Sequence, residues 1–235
     1  MKLRMQITKD KDIRFISHLE YVRTIGRAIR RAKLPAAYSE GFNPHLKFSL
    51  ASALGVGVVS YTEFVEIELA EPMEVEKAAL ALDAALPRGI RVLAADAVDT
   101  HHAALMSQAA GASYRVTLPY SKDVSAAVAE FNAAPELLFK KAALKTKAKF
   151  KEIDVKFYIP QLTAEQTEKE TIFSFDCKIT PTGSMKAVDL LNALNEQYGL
   201  ALPVEMADIE RLRLYRNNKN GKPIPMLNSE AVTLG

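Results

Sequence analysis

The sequence predicts an α+β protein of two tandem ferredoxin-like (βαββαβ) domains with antiparallel sheets. Three observations carry this expectation. Hydrophobic spacing switches between periods of two and 3.6 in the order strand, helix, strand, strand, helix, strand. The same order of elements returns after about residue 110. The length, 235 residues, suits two domains of roughly 100 residues each.

The first domain is expected over 1–105. Met1–Thr8 alternates as a strand. Ser17 followed by Glu20 is a capping box, so a helix should start near His18. Val22, Ile25, Ile29 and Ala32 form its apolar stripe, and Pro35 ends it. Leu46–Ala53 and Tyr61–Leu69 read as strands. Pro72 precedes an alanine- and leucine-rich helix over Val75–Leu86, and Pro87-Arg-Gly89 turns the chain into a strand over Ile90–Ala97. Asp99–Gly111 reads as a linker.

The second domain is expected over 106–217. Ser113–Tyr120 is a strand, and Ser121 should cap a helix through Phe131. Glu136–Lys145 and Glu152–Gln161 read as extended and lysine-rich: one long strand, a hairpin or a ribbon. Thr171–Thr180 alternates, Gly183-Ser184 precedes a helix through Tyr198, and Ile209–Arg216 closes the unit as a strand. Residues 218–235, with glycine, two prolines and no periodicity, should be an extended tail.

Composition excludes several classes. The lone Cys177 rules out a disulfide framework and a cysteine-only metal site, and fits a reducing, cytoplasmic setting. The charged segment Lys2–Lys11, followed by no apolar run, predicts no signal peptide, and no stretch approaches the ~20 apolar residues of a membrane span. There is no phosphate-binding glycine loop, dinucleotide fingerprint or nucleophile elbow, and no cysteine cluster for an iron–sulfur centre. No cofactor or metal is expected. His101-His102 has no carboxylate or cysteine at ligand spacing.

The net charge of +3 is unevenly spread. Residues 1–50 are strongly basic, residues 61–83 acidic, and Lys140–Lys156 basic again. Such asymmetry points to a polyanion-binding face; oppositely charged solvated faces are the plain alternative.

Arg23, Arg27 and Arg30 fall within about 60° of one another on the first helix, with Arg31 beside them. Guanidinium forks match phosphate oxygens, and their planes stack on bases. The alternatives are a solvated face, a helix docked on the acidic 63–83 segment, or a protein partner. The helix leads into Tyr38, Ser39, Glu40, Gly41, Phe42, Asn43, Pro44, His45, Leu46 and Lys47. Gly41 can take positive φ, and Asn43-Pro44 favours a turn. His45 and Lys47 should share one face and Leu46 and Phe48 the other. His45 could act as acid or base, with Lys47 stabilising an oxyanion and Tyr38 nearby, or these groups bind without reacting. His18, after Arg14-Phe-Ile-Ser17, lies where free N–H groups could meet an anion, or simply packs against the turn. Lys145, Lys147, Lys149 and Lys151 alternate and would line one face of an extended ribbon, as a phosphate track or a protected edge.

Three segments resemble the radical SAM-linked proteins, a bacterial family of unknown function. They are Arg14-Phe-Ile-Ser-His-Leu19; Arg23 through Arg27-Ala-Ile-Arg-Arg-Ala32 to Leu34-Pro35; and Tyr38-Ser-Glu-Gly-Phe-Asn-Pro-His45, continuing to Ala53-Leu54 and Gly57. Glu63–Glu68 is similar to the family's following acidic strand and Glu152-Ile-Asp-Val155 to a second region, so the resemblance covers most of 1–160. It departs at Leu46, where the family more often has a second proline, which leaves the turn less rigid. Family members are encoded beside, or fused to, a radical SAM protein with a cobalamin-binding-like domain, often near genes for a ribonuclease of the E/G type and ribosomal proteins. The resemblance therefore implies an accessory protein that presents RNA or a ribosomal component to a radical SAM partner.

The expected function is thus non-catalytic RNA binding or substrate presentation in RNA modification or ribosome biogenesis. Arg23, Arg27, Arg30, Arg31, Lys47 and the lysine run would hold phosphates. Tyr38, Phe42 and His45 would contact a base or substrate segment, and Arg14, His18, Ser39, Gly41, Asn43 and Pro44 would complete the groove. The alternatives are a metal-independent RNA endonuclease using His45, and a protein adaptor docking on the radical SAM partner.

Overall fold

A computed structural model describes residues 1–99, 103–142 and 150–234. The protein is α+β, with a large, mostly antiparallel sheet and six α-helices among the described residues. The chain divides into two compact units, Met1–Ala110 with Arg213–Gly235, and Gly111–Leu212.

In the first unit the order is β1 (Lys2–Lys9), α1 (His18–Arg31), β2 (Phe48–Leu50), β3 (Val58–Glu68), α2 (Val75–Ala85), β4 (Val92–Val98) and α3 (Leu105–Gln108). β1 pairs with both β3 and β4, and β2 pairs with β3, giving the order β4-β1-β3-β2 with every pair antiparallel. Alternation places Leu3, Met5 and Ile7 of β1 on the same core as Val65 and Ile67 of β3. Tyr21, Ile25 and Ile29 of α1 and Leu82 of α2 close that core. Tyr21 replaces Val22 in the fully buried stripe, and its hydroxyl donates to the Thr8 carbonyl at 2.6 Å.

Half of the capping box forms. The Ser17 hydroxyl accepts the Glu20 N–H at 3.2 Å, while the Glu20 carboxylate turns to Arg23 instead of back to the cap. The helix also stops before the predicted boundary at Pro35. Ala32 caps it, and Lys33 takes a φ of 52°.

In the second unit the order is β5 (Gly111–Pro119), α4 (Ser125–Ala133), β6 (Leu138–Ala142), β7 (Phe150–Asp154), α5 (Val155–Tyr158), β8 (Leu162–Gln166), β9 (Glu170–Thr180), β10 (Gly183–Ser184) and α6 (Ala187–Tyr198). β9 pairs with β5 on one side and with β8 and β10 on the other, all antiparallel. The lysine-rich segment contributes the separate β6–β7 hairpin, and the sheet takes β8, a strand not expected from the sequence. Glu152–Gln161 is not continuously extended. The Asp154 carboxylate accepts the Lys156 N–H at 3.0 Å and starts α5, and it also accepts the Leu137 N–H at 3.3 Å, which ties the hairpin down. Ser121 caps nothing; α4 starts at Ser125, whose N–H goes to the Asp123 carboxylate and holds that group below the usual range.

A strand over Asp208–Asn217, β11, runs from the second unit back into the first. Two short strands follow, β12 (Pro223–Pro225), paired with β11, and β13 (Val232–Thr233), paired with β4. The expected extended tail is therefore anchored. Met226 is buried and its carbonyl accepts from Arg4 at 2.8 Å. Arg4 also forms a buried ion pair with Glu66 at 2.8 Å. Proline and glycine removed the periodic signal of the tail, but backbone pairing needs no side-chain period.

Candidate nucleic-acid interface

The exposed row of α1 carries Leu19, Arg23, Arg27 and Arg30, because residues three or four apart share a face. The four predicted arginines do not act alike. Arg23 is held by Glu20 at 2.6 Å, so part of its charge is compensated. Arg31 leaves the row and donates at 2.7 Å to the Ala85 carbonyl at the end of α2, where unpaired carbonyls attract a cation. Among the described residues, Arg27 meets only the Thr24 hydroxyl at 3.3 Å, and Arg30 only the Gly26 carbonyl at 3.5 Å. Among the described residues no carboxylate comes within ion-pair reach of either. The acidic 63–83 segment does not neutralise them: Glu66 pairs with Lys2 and Arg4, Glu68 with Lys47, and Asp83 with Arg91.

The turn is a closed, projecting loop. Ser39 N–H donates to the His45 carbonyl at 2.8 Å, and His45 N–H donates to the Ser39 hydroxyl at 3.0 Å. Tyr38 and Leu46 pair behind them. Between these locks lie Glu40, Gly41, Phe42, Asn43 and Pro44, all exposed, with Gly41 at a φ of 110° that other residues rarely adopt. Phe42 is fully exposed, Tyr38 about half. Leu46 and Phe48 pack on the core, as alternation requires, and His45 and Lys47 are exposed. Lys47 lies 3.0 Å from Glu68, so it is a compensated cation.

The Arg14–Leu19 segment is held by Lys9, a residue that the sequence did not single out. Lys9 is 1% exposed. Its ammonium donates to the carbonyls of Arg14, Ile16 and Gly55 at 2.9, 3.2 and 3.3 Å. The Arg14 carbonyl also accepts the Gly57 N–H at 2.8 Å. Lys9 counts toward the basic surface in sequence but is buried in the fold. Alternation is the one signal in sequence: Lys9 continues the Leu3, Met5 and Ile7 face of β1, whereas Lys2 lies on the other. The Arg14–Leu19 segment presents Phe15 and Leu19 outward as exposed apolar residues, and His18 lies half-buried beside them.

Lys145, Lys147 and Lys149, like His101 and His102, lie outside the described residues. Lys151 is exposed on β7, opposite Lys141, which reaches Asp189 of α6 at 2.6 Å. Two open clefts of about 320 and 340 Å³ occur, one lined by Lys151–Asp154 with Phe157 and Tyr158, the other by Ala103, Ser107, Gln108, Ala110, Arg216 and Asn217. Neither touches the arginine row or the Tyr38–Lys47 turn. Among the described residues no group of three or more His, Cys, Asp or Glu side chains could hold a metal, and no helix is long and apolar enough to cross a membrane.

A family described as "Uncharacterized protein conserved in bacteria (DUF2344)" matches residues 2–189. No curated protein matches the chain. Among solved structures, the chain is similar to one in the "Crystal Structure of a Cbf5-Nop10-Gar1 Complex", at 12% identity and a TM-score of 0.48, with 92% of this chain and 50% of that one covered. This chain thus spans about half the length of that one. A second likeness is to an unknown protein from Galdieria sulphuraria, at 13% identity and a TM-score of 0.25, covering 92% and 98% of the two chains. Neither likeness bears on function.

Proposed function

The chain belongs to the uncharacterized bacterial family that matches residues 2–189, and we propose that it is a non-catalytic RNA-binding accessory protein. On this reading it presents RNA or a ribosomal component to a radical SAM enzyme, as the resemblance of its motifs implies. The observation that carries RNA binding is the row on α1, where Arg27 and Arg30 are exposed and, among the described residues, meet no carboxylate. Guanidinium groups without a protein counter-ion are available for phosphate at no cost in broken ion pairs. The fold part of the reading is that each unit is a ferredoxin-like domain. The order β4-β1-β3-β2 supports it in the first unit. In the second, β5, α4, β8, β9 and α6 follow the same element order, interrupted by the β6–β7 hairpin.

Binding is favoured over cleavage because, among the described residues, no side chain pairs with the exposed His45 imidazole to orient it as an acid or base. The test is a titration of labelled RNA at low salt, repeated with Arg27→Glu and across a salt series. Affinity should fall in the variant and fall steeply with salt. Absence of RNA binding at low ionic strength would end this reading. RNA cleavage abolished by His45→Ala with binding intact would replace it with the endonuclease. Native-cell affinity purification with crosslinking tests the radical SAM partner, and recovery of that enzyme without RNA would favour the adaptor.

A further inference from the structure

We infer that Phe15 is a base-stacking platform, so that the RNA bound along α1 is single-stranded, with unpaired bases. The inference rests on the RNA-binding reading and names its substrate class.

Phe15 lies two residues before the Ser17 cap of α1 and is 69% exposed. Phe15 is exposed together with Leu19, so its ring is accessible to a partner. Its backbone is fixed from behind. The carbonyls on either side of it, those of Arg14 and Ile16, both accept from the buried Lys9 ammonium, and Gly57 N–H adds a second bond to Arg14. One side of the ring is covered by the Arg14 guanidinium, 4.9 Å from the ring centre. The ring edge rests near Gly57, where an added Cβ would lie 3.8 Å from Phe15 Cε1. The backbone that carries the ring is therefore held, the ring is backed by a cation, and most of the residue is open to solvent. That is the arrangement a flat π-face can stack on with little ordering cost.

The charge beside it selects the occupant. The exposed row of α1 runs from Leu19 through Arg23 and Arg27 to Arg30, about 16 Å of helix axis. A strand whose phosphates lie along Arg27 and Arg30 brings a base toward the N-terminal end of α1, where Phe15 stands. In a duplex the base faces are already stacked on one another, so only an unpaired base can use the ring.

The test measures binding of a 12-nucleotide labelled RNA, single-stranded or annealed to its complement, at low salt. The proteins are wild type, Phe15→Ala, Phe15→Leu, Phe15→Trp and Arg27→Glu, with thermal midpoints recorded for each. The single strand should bind more tightly than the duplex. Phe15→Ala and Phe15→Leu should each lose roughly 5- to 150-fold in affinity, with midpoints near wild type, and Phe15→Trp should retain binding. Phe15→Leu keeps an apolar side chain without the π-face, so wild-type affinity in that variant would overturn the proposal. So would equal affinity for duplex. If RNA binds and responds to Arg27→Glu but not to any Phe15 variant, RNA binding stands and stacking falls. If no RNA binds, both fall. Loss of a protein partner in Phe15→Ala with RNA affinity unchanged would also overturn it.

Discussion

Replacing Lys9 with methionine should cost about 2–4 kcal/mol of stability, despite removing a residue that reads in sequence as surface charge. Methionine keeps the apolar stem of the side chain but removes the ammonium. The Arg14 carbonyl retains the Gly57 N–H, whereas the Ile16 and Gly55 carbonyls lose the donor at 3.2 and 3.3 Å. Each orphaned buried acceptor costs ~1–3 kcal/mol, or ~2–6 kcal/mol for two. Part of this is returned, because the ammonium no longer has to be kept out of water at 1% exposure. The net of about 2–4 kcal/mol is read by urea unfolding followed by circular dichroism, comparing midpoints at constant slope. The loss should be local to one corner, so limited trypsin digestion should also cut faster after Arg14. A loss below ~1 kcal/mol, with unchanged cleavage at Arg14, would refute the claim that this ammonium holds the segment.

Three further predictions follow from other contacts. Arg31→Ala should cost about 0.5–1.5 kcal/mol of stability through the lost bond to the Ala85 carbonyl and leave RNA affinity nearly unchanged, whereas Arg27→Ala should do the reverse and reduce the salt slope by about 0.7; paired unfolding and binding titrations separate the two. Burial pushes the Cys177 thiol up from 9.0 to about 11. The folded state then holds its proton more tightly than the unfolded one, so this group's contribution to stability is intact below pH ~9 and lost as pH rises toward ~11. A thiol reagent at pH 8 should accordingly label the native protein far more slowly than the urea-unfolded one. Met226→Ala should cost about 2–4 kcal/mol, because the side chain is buried in a segment tied by Arg4, and denaturant unfolding measures it.

Much of the local structure was legible because it is written in local chemistry. The Ser17 cap, the start of α1 at His18, the alternation of β9, and the inward Leu46 and Phe48 all follow from spacing. The arginine row was legible for the same reason, since three- and four-residue spacing fixes a helix face whatever lies beyond it. Failures came where a choice depended on distant partners. The second unit's sheet takes Leu162–Gln166 rather than the lysine-rich segment, because pairing with β9 is a long-range event that a five-residue run does not announce. Residues 218–235 carry no periodic signal, yet Arg4 of β1 holds the Met226 carbonyl, and β12 and β13 pair with β11 and β4.

The sequence by itself determined which residues can carry positive charge and where α1 and α2 begin. Only the tertiary structure decided which cations remain available. Arg31 is spent on the end of α2, Lys47 on Glu68 and Lys9 on three carbonyls, while Arg27 and Arg30 keep their charge facing outward. The physical reason is that a charge acts on a ligand only after its protein partners are counted, and Ala85, Glu68, Ile16 and Gly55 lie from seven to 54 residues away from the cations they engage.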